Sequence, residues 1–231
     1  MEPNTLVLNP QRHESKLVLP ATQLHLVYMW LRLHQAQFTP AFAPRWVNNI
    51  YFDTEDFSVL NDAIEGSSRR VKVRLRWSGE PSPAQRSTFE LKCKLGGLGW
   101  KRSSSINTPI DLISQSWRTI VSAIRAELSP DVRIIFDQAS RPTLINRYHR
   151  RYFVSFDRSV RITVDSHIRA WLQAMGMRPN TRKRCAFEDV AVLEFKADCT
   201  RTKLLSDAIH ALGCRVDKHS KYATGVTGAL L

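Results

Sequence analysis

Charged side chains alternate with apolar ones along residues 69–77, a segment that the sequence predicts to be a β-strand. Successive side chains of a strand point to opposite faces, so four cations share one face: Arg70, Lys72, Arg74 and Arg76. The other face is apolar and must be buried in a core: Val71, Val73, Leu75 and Trp77. The basic row therefore faces either solvent or a lumen.

Other predicted strands repeat this alternation and add carboxylates to the charged row. The rows are Glu90, Lys92 and Lys94; Arg12, Glu14 and Lys16; Glu194 and Lys196; Arg161, Thr163 and Asp165; and Tyr148 with Arg150. One such strand is typical of an ordinary solvated face. Five or six in one small domain would repel each other in an open sheet, because like charges opposite each other are destabilising. A bound polyanion would remove that repulsion.

The residue types in these rows are those that bind phosphate together with a divalent cation. Lysine and arginine donate hydrogen bonds to phosphate oxygens, and arginine can do so with two parallel bonds. Mg²⁺ and Mn²⁺ prefer carboxylate, water and phosphate oxygens. Glutamate and lysine two residues apart on a strand place a metal ligand beside a phosphate donor. Metal-assisted phosphoryl transfer requires that juxtaposition.

Strands predominate among the elements that would position these side chains. We predict strands over residues 6–19, 46–52, 69–77, 87–95, 101–106, 131–136, 143–156, 160–166 and 190–197. We predict helices over residues 22–34, 57–64, 111–128 and 201–212 and near the C-terminus, loops over 37–45 and 174–187, and a turn made by Gly96, Gly97 and Gly99. This pattern indicates an α+β fold, a mainly antiparallel sheet or barrel with peripheral helices, in a single domain over residues 1–231.

The charge balance favours an anionic ligand. The chain has 34 Lys and Arg against 21 Asp and Glu, a net charge of +13. Such an excess attracts nucleic acid, phosphate chains or anionic lipid. The residues interleaved with the basic ones are mostly aliphatic and no nucleic-acid motif is present, so we expect no specific nucleic-acid binding. The basic loop over residues 178–184 is either a flexible surface loop or an electropositive entrance.

Cysteine usage and hydropathy bear on location. The four cysteines form no CxxC pair and no zinc-binding spacing, so we expect reduced thiols in a cytoplasmic protein. The N-terminus has no apolar signal region. The longest apolar stretch, Leu24 to Leu33, is too short and too polar to span a membrane. We therefore expect no transmembrane segment.

Eight short motifs follow one another along the chain. They are R-x-E-x-K at 12–16, YFDT at 51–54, K-x-R-x-R at 72–76, E-x-K-x-K at 90–94 followed by Lys101, Y-x-R at 148–150, VRITxD at 160–165, E-x-K at 194–196 and SKY at 220–222. Each is weak alone, but together and in this order they closely resemble the vacuolar transporter chaperone (VTC) domain. That domain belongs, with the CYTH proteins, to the triphosphate tunnel metalloenzyme superfamily.

The resemblance implies an antiparallel β-barrel tunnel of about eight strands, with a charged lumen open at both ends. It also implies a ligand: triphosphate, ATP or polyphosphate. Eukaryotic VTC catalytic domains transfer the terminal phosphate of ATP to a growing polyphosphate chain and use a divalent metal such as Mn²⁺ or Mg²⁺. Other superfamily members hydrolyse inorganic or thiamine triphosphate, or make cyclic nucleotides.

The resemblance also implies site residues. The implied phosphate-binding residues are Lys16, Lys72, Arg74, Arg76, Lys92, Lys94, Lys101, Arg150, Arg161, Lys196, Lys218, Ser220 and Lys221. The implied catalytic residues are Lys16, Arg74, Arg76, Glu194 and Lys221. Among the carboxylates, Glu194 best matches the metal ligand, and Glu14 either binds metal or positions water. Glu90 either binds metal or holds a lysine or arginine in place.

Two departures from the family pattern bear on the reaction. Arg12 stands where hydrolytic relatives carry a glutamate, which removes a carboxylate for activating water and favours the VTC branch. The sequence also shows no SPX domain and no transmembrane segment, both of which accompany the eukaryotic polymerase, so it resembles bacterial stand-alone members. Three functions stay open: phosphotransfer from ATP to polyphosphate, hydrolysis of triphosphate or polyphosphate, and polyphosphate binding without turnover.

Overall fold

Eight strands and six helices make up the part of the chain that a computed structural model describes: residues 12–95, 98–173, 176–198, 202–217 and 219–230. The strands are β1 (Arg12–Pro20), β2 (Thr39–Asp53), β3 (Arg69–Ser78), β4 (Ser87–Leu95), β5 (Leu98–Ile106), β6 (Arg141–Val154), β7 (Arg161–Leu172) and β8 (Val190–Asp198). The helices are α1 (Leu24–Leu33), α2 (Ser58–Glu65), α3 (Trp117–Glu127), α4 (Pro130–Gln138), α5 (Thr202–Leu212) and α6 (Lys221–Leu230).

All eight strands form one antiparallel sheet in the order β1-β8-β7-β6-β2-β3-β4-β5. In a flat sheet β1 and β4, six positions apart, would be separated by about 29 Å. The Glu14 carboxylate on β1 is instead 3.4 Å from the Lys92 ammonium on β4. The sheet is therefore curled into the predicted α+β tunnel. Within the described residues the edge strands β1 and β5 are not hydrogen-bonded to each other, so the sheet is not a closed barrel.

Helices cover the convex face of the sheet. Val27 and Leu31 of α1 and Ala208 of α5 pack on the apolar rows of β1, β7 and β8. Phe136 of α4 packs edge-on against Phe52 of β2, at a ring-centroid distance of 5.3 Å, within a second core that α2 and α3 also join. The apolar side of each strand is thus buried under helices, and the charged side is left for the concave face. In the described residues, no helix is both long and apolar enough to cross a membrane.

The C-terminal helix α6 packs on the concave face. Leu144 pairs with Tyr51, and Tyr51 pairs with Arg74, so Leu144 belongs to the charged face of the sheet. A Cβ atom added at Gly225 of α6 would lie 2.7 Å from the Leu144 side chain and 3.4 Å from that of Ala170. Glycine permits this close approach. Helix α6 therefore packs closely against β6 and β7 on this face.

Residues 131–136 were predicted as a strand, but they belong to α4. The prediction rested on a run of β-branched and aromatic residues. Pro130 occupies the first turn of the helix, where a missing N–H costs nothing. Val132 and Phe136, four residues apart, are both buried, so the burial pattern has the helical period.

Residues 37–45 were predicted as a loop because of Pro40 and Pro44, but Thr39 onward belongs to β2. Proline cannot donate a hydrogen bond in a ladder. The strand accommodates both prolines through register shifts against β6, one between Pro40 and Phe42 and one between Phe42 and Arg45. Of the predicted glycine turn, Gly96 and Gly97 lie outside the described residues, and Gly99 belongs to β5 instead.

Candidate functional site

Strand register brings the charged rows together on the concave face. Arg74 of β3 is opposite Tyr51 of β2 on one side and Glu90 of β4 on the other. Across the tunnel, Lys16 of β1 is opposite Glu194 of β8. Residues opposite each other in an antiparallel pair point to the same face. The rows that strand parity predicted therefore line one continuous surface.

Glu90 is the centre of a first cluster. Its buried carboxylate lies 2.6 Å from Arg74 Nε, 2.5 Å from Lys101 Nζ and 3.7 Å from Arg76 Nη1. Burial raises the pKa of Glu90, but Arg74, Arg76 and Lys101 outweigh burial and lower it to about 2. Because three cations already surround this carboxylate, the geometry favours the second of its two predicted roles, holding cationic side chains in place, over metal binding.

Asp165 of β7 is the centre of a second cluster. Its side chain is fully buried and accepts two hydrogen bonds from Arg150, of 2.6 and 2.8 Å, and one of 2.6 Å from Lys221. Both cations also lie over the Tyr148 ring, at 5.2 and 4.7 Å from its centroid. Burial raises the pKa of Asp165, but Lys221 and Arg150 hold it well below its usual range. Asp165 thereby orients two of the predicted phosphate ligands.

A third cluster joins β1, β8 and β4. The Glu194 carboxylate lies 2.6 Å from Lys196 Nζ. Glu14 lies 3.4 Å from Lys92 Nζ and 3.9 Å from Lys16 Nζ. Burial raises the pKa of Glu194, but Lys196 and further cations outweigh burial and lower it to about 2. Glu194 is therefore ionised at neutral pH, and Glu14 lies beside two ammonium groups on the tunnel wall.

The start of α6 adds polar groups to the same face. Ser220 lies just before the helix, and its hydroxyl accepts a hydrogen bond of 3.4 Å from Lys72. Tyr222 donates a short hydrogen bond to the buried Asp53 carboxylate and stacks on Tyr51 at 5.2 Å between ring centroids. These contacts fix the beginning of α6 against β2 and β3, which explains why the SKY motif lies in the tunnel although it belongs to a helix.

The remaining predicted phosphate ligands are more exposed. Arg161 pairs with Lys196, and Lys92 pairs with both Lys72 and Lys101, so all share the charged face. About half of the Lys92 and Lys101 side chains is accessible, 50% and 51%. Lys94 continues the β4 row, opposite Arg70, and is exposed. Lys218 lies outside the described residues.

Comparison with known proteins identifies the family. The sequence model of the VTC domain matches residues 11–229. The chain belongs to the VTC domain family. This confirms the family recognised from the motifs. No curated protein matches the chain.

Solved structures resemble this VTC domain at low sequence identity. One is a Hippeastrum protein described as an adenylyl cyclase candidate with a dominant triphosphatase activity, 16% identical, with a TM-score of 0.53 over 96% of this chain and 98% of that one. Another is an adenylate cyclase candidate from Vibrio parahaemolyticus, 13% identical, with a TM-score of 0.46 over 91% of this chain and 96% of that one. The first likeness supports the tunnel fold.

Two carboxylates that the sequence predicts as metal ligands share the tunnel wall of the VTC domain. Glu14 and Glu194 lie on neighbouring strands and face the tunnel. Mg²⁺ usually keeps several waters and is held by one or two carboxylates together with substrate phosphates. In the part of the chain that the structure describes, no group of three or more His, Cys, Asp or Glu side chains could hold an ion. The donor set therefore fits a divalent ion shared with a phosphate ligand, not one enclosed by protein ligands alone.

Three residues of the VTC site were missed as functional residues at the sequence level. Asp165, Tyr51 and Tyr148 all lie on the charged face, and Tyr51 Oη is 3.5 Å from Arg74 Nη1. Strand parity placed Asp165 and Tyr148 in the charged rows, and the same parity places Tyr51 there. Their role, which is to support cations, depends on contacts between strands and with α6, and no local pattern encodes those contacts.

We expect Lys72 to make triphosphate binding depend on pH. Burial lowers its pKa to about 8, and the nearby Lys16 and Lys92 contribute to this. A bound polyanion would stabilise the ammonium and raise the pKa. We therefore expect ATP binding at pH 8 to take up about half a proton per site, to take up more at higher pH, and to weaken as the pH rises through that range. Calorimetry with EDTA in buffers of different ionisation enthalpy measures this uptake.

The matched control for proton uptake is Lys72→Arg, which stays charged throughout this pH range. Lys72→Arg should still bind ATP, but the proton uptake on binding should be smaller than in wild type by the amount that Lys72 contributes. If the uptake were the same in wild type and in Lys72→Arg, Lys72 would not be the titrating group.

Proposed function

We propose that the tunnel of this VTC domain binds ATP and polyphosphate, and that it transfers the terminal phosphate of ATP to a phosphate chain with a divalent ion. One observation carries the proposal. Three clusters of cations, around Glu90, Asp165 and Glu194, line one concave face whose strands bring them within reach of a single phosphate chain. A face of this kind is costly without a ligand, because its like charges repel one another.

The tunnel residues would act by positioning and charge stabilisation. Phosphoryl transfer needs little covalent chemistry from the protein, so fixed donors around the transferred group supply most of the rate acceleration. Arg74 and Arg150 are each held by a carboxylate, and their remaining N–H groups can donate to phosphate oxygens. A divalent ion, when bound at Glu194 and Glu14, would neutralise charge on the phosphates. Lys16, Arg76 and Lys221 would stabilise the charge that develops on transfer.

The carboxylates favour phosphotransfer over hydrolysis. Water must lose a proton when it attacks, and a general base works best when its pKa is near the operating pH. The pKa values of Glu90 and Glu194 are lowered to about 2, so both are weak bases. A phosphate acceptor is already anionic and needs no base. The tunnel therefore suits a phosphate acceptor better than water.

Hydrolysis of triphosphate is the second candidate, and Glu14 is the observation that favours it. Its side chain is 32% exposed, against 12% for Glu194 and 4% for Glu90, so water has access to it. The Hippeastrum protein of similar fold is described as having a dominant triphosphatase activity. Binding of polyphosphate without turnover is the third candidate, and the same cations would serve it.

One assay separates these functions. The purified domain, given ATP and Mn²⁺, is expected to form polyphosphate that is resolved on a gel. Phosphate release from inorganic triphosphate without polymer would select the hydrolase instead, and tight binding with neither product would select the binding module. Arg74→Ala should weaken triphosphate binding by about 10- to 150-fold, the equivalent of losing a charged hydrogen bond of about 1.5–3 kcal/mol. The matched control is Arg125→Ala on the outer helix α3. It also removes one positive charge, and it should bind triphosphate as tightly as wild type does.

A further inference from the structure

Three side chains form an exposed aromatic and cationic surface beside the phosphate clusters, which we call the base platform: Phe42, Arg45 and Tyr152. The Arg45 guanidinium lies 5.0 Å from the centroid of the Tyr152 ring and 5.8 Å from that of Phe42. The two rings meet edge to face at 5.6 Å and 84°. Phe42 is 61% exposed. Single exposed apolar residues are common, but a contacting group of two rings and a guanidinium is not explained by core packing.

The base platform lies on the concave face. Tyr152 is two residues from Arg150 on β6, so both side chains point into the tunnel. Tyr152 is opposite Thr163, and Thr163 is opposite Glu194. Two strand spacings place Tyr152 about 10 Å from Glu194, and two residues along the strand place it about 7 Å from Arg150. This separation matches the distance between the terminal phosphates and the base of a nucleotide.

The irregular backbone of β2 aims this surface at the tunnel. Phe42 and Arg45 are three residues apart, so in a regular strand their side chains would point to opposite faces. The register shift between them lets both contact Tyr152. Bulges next to binding sites commonly redirect a side chain in this way. The register shifts beside the two prolines of β2 therefore place Phe42 and Arg45 together on the tunnel wall.

The chemistry of the base platform selects a ligand class. Aromatic rings and guanidinium planes stack on nucleobases, and they do so with little dependence on the base. An inorganic phosphate chain offers no π-face, so the platform adds nothing to its binding. We propose that Phe42, Arg45 and Tyr152 stack the base of a nucleoside triphosphate whose phosphates lie in the tunnel. This rests on the proposed function, and it makes the platform the element that distinguishes nucleotides from inorganic triphosphate.

The test compares two ligands in the full domain, the β,γ-imido analogue of ATP and inorganic triphosphate, by calorimetry with EDTA to prevent turnover. Phe42→Ala is expected to weaken binding of the ATP analogue by about 5- to 150-fold, the loss typical of a base–aromatic stack, and to change triphosphate binding less than about twofold. Tyr152→Leu, which keeps an apolar side chain, should give the same selective loss. Ile134→Ala on α4, an apolar side chain of similar exposure (63%) on the outer face, should bind both ligands as wild type.

The outcomes separate this proposal from the proposed function. The base platform would be overturned if wild type bound triphosphate and the variants bound both ligands equally weakly or bound both as wild type does. The proposed phosphate binding by the tunnel would be unaffected by that result. Wild type that binds neither ligand would overturn both. A selective loss of the ATP analogue in Phe42→Ala and Tyr152→Leu, with melting temperatures close to that of wild type, supports the base platform.

Discussion

Replacement of Asp165 by alanine is expected to lower the free energy of unfolding by about 3–5 kcal/mol, because it leaves buried cations without their counter-charge. Asp165 is fully buried and receives three charged hydrogen bonds from Arg150 and Lys221. For a domain of this size the loss corresponds to a fall of about 6–20 °C in the melting temperature. Thermal unfolding monitored by circular dichroism measures it.

Asp137→Ala is the matched control, since Asp137 pairs with Arg125 in the same two-bond geometry, at 2.7 and 2.9 Å, but on the surface. Its melting temperature should stay close to that of wild type, because solvent screens exposed pairs. Inorganic triphosphate should stabilise Asp165→Ala more than wild type, since the ligand supplies the missing negative charge. A variant that melts as wild type would show that Arg150 and Lys221 do not depend on Asp165.

The pH dependence of this effect has a definite sign. The folded-state pKa of Asp165 is lowered below the unfolded value, so its contribution to stability is present above the unfolded pKa of about 3.9. That contribution is lost as the pH falls through the folded pKa. The difference in melting temperature between wild type and Asp165→Ala should therefore be full at neutral pH and shrink in acid.

The charged face was predictable because its cause is local. A strand has a period of two, so the positions of Lys72, Arg74 and Arg76 in the sequence already determine which face they share. The order of the family motifs then indicated a tunnel. Sequence could not show that, within the described residues, the edge strands β1 and β5 do not pair with each other, since that depends on how strongly eight strands curl together.

The features missed at the sequence level are those made by distant parts of the chain. The Asp165 carboxylate accepts a hydrogen bond from Lys221, which lies 56 positions later at the start of α6. Gly225 of the same helix packs closely against Leu144 of β6. Residues 131–136 have strong strand propensity but pack with helical period, because a helix at that place buries Val132 and Phe136. In each case tertiary packing overrides or completes a local preference.

The largest functional effect is expected from Glu194→Gln, which keeps the size of the side chain and removes its charge. Metal-dependent turnover should fall by at least about 100-fold, because loss of even an outer-shell partner of a metal costs 10- to 100-fold. Binding of triphosphate in EDTA should be unchanged or tighter, since the variant removes one negative charge from a tunnel that holds an anion. These opposite effects would not both arise from simple misfolding.

Three comparisons make the Glu194→Gln experiment decisive. Glu65→Gln on α2 removes the same charge from an exposed position and should leave both turnover and binding unchanged. Glu14→Gln should suppress phosphate release more than phosphotransfer if Glu14 positions water. If Glu194→Gln also weakened binding in EDTA, its role would be to orient Lys196, 2.6 Å away, and not to hold the ion. Because the carboxylate is ionised far below neutral pH, its contribution to metal binding should not vary between about pH 6 and 8, and a loss of activity over that range must come from other groups.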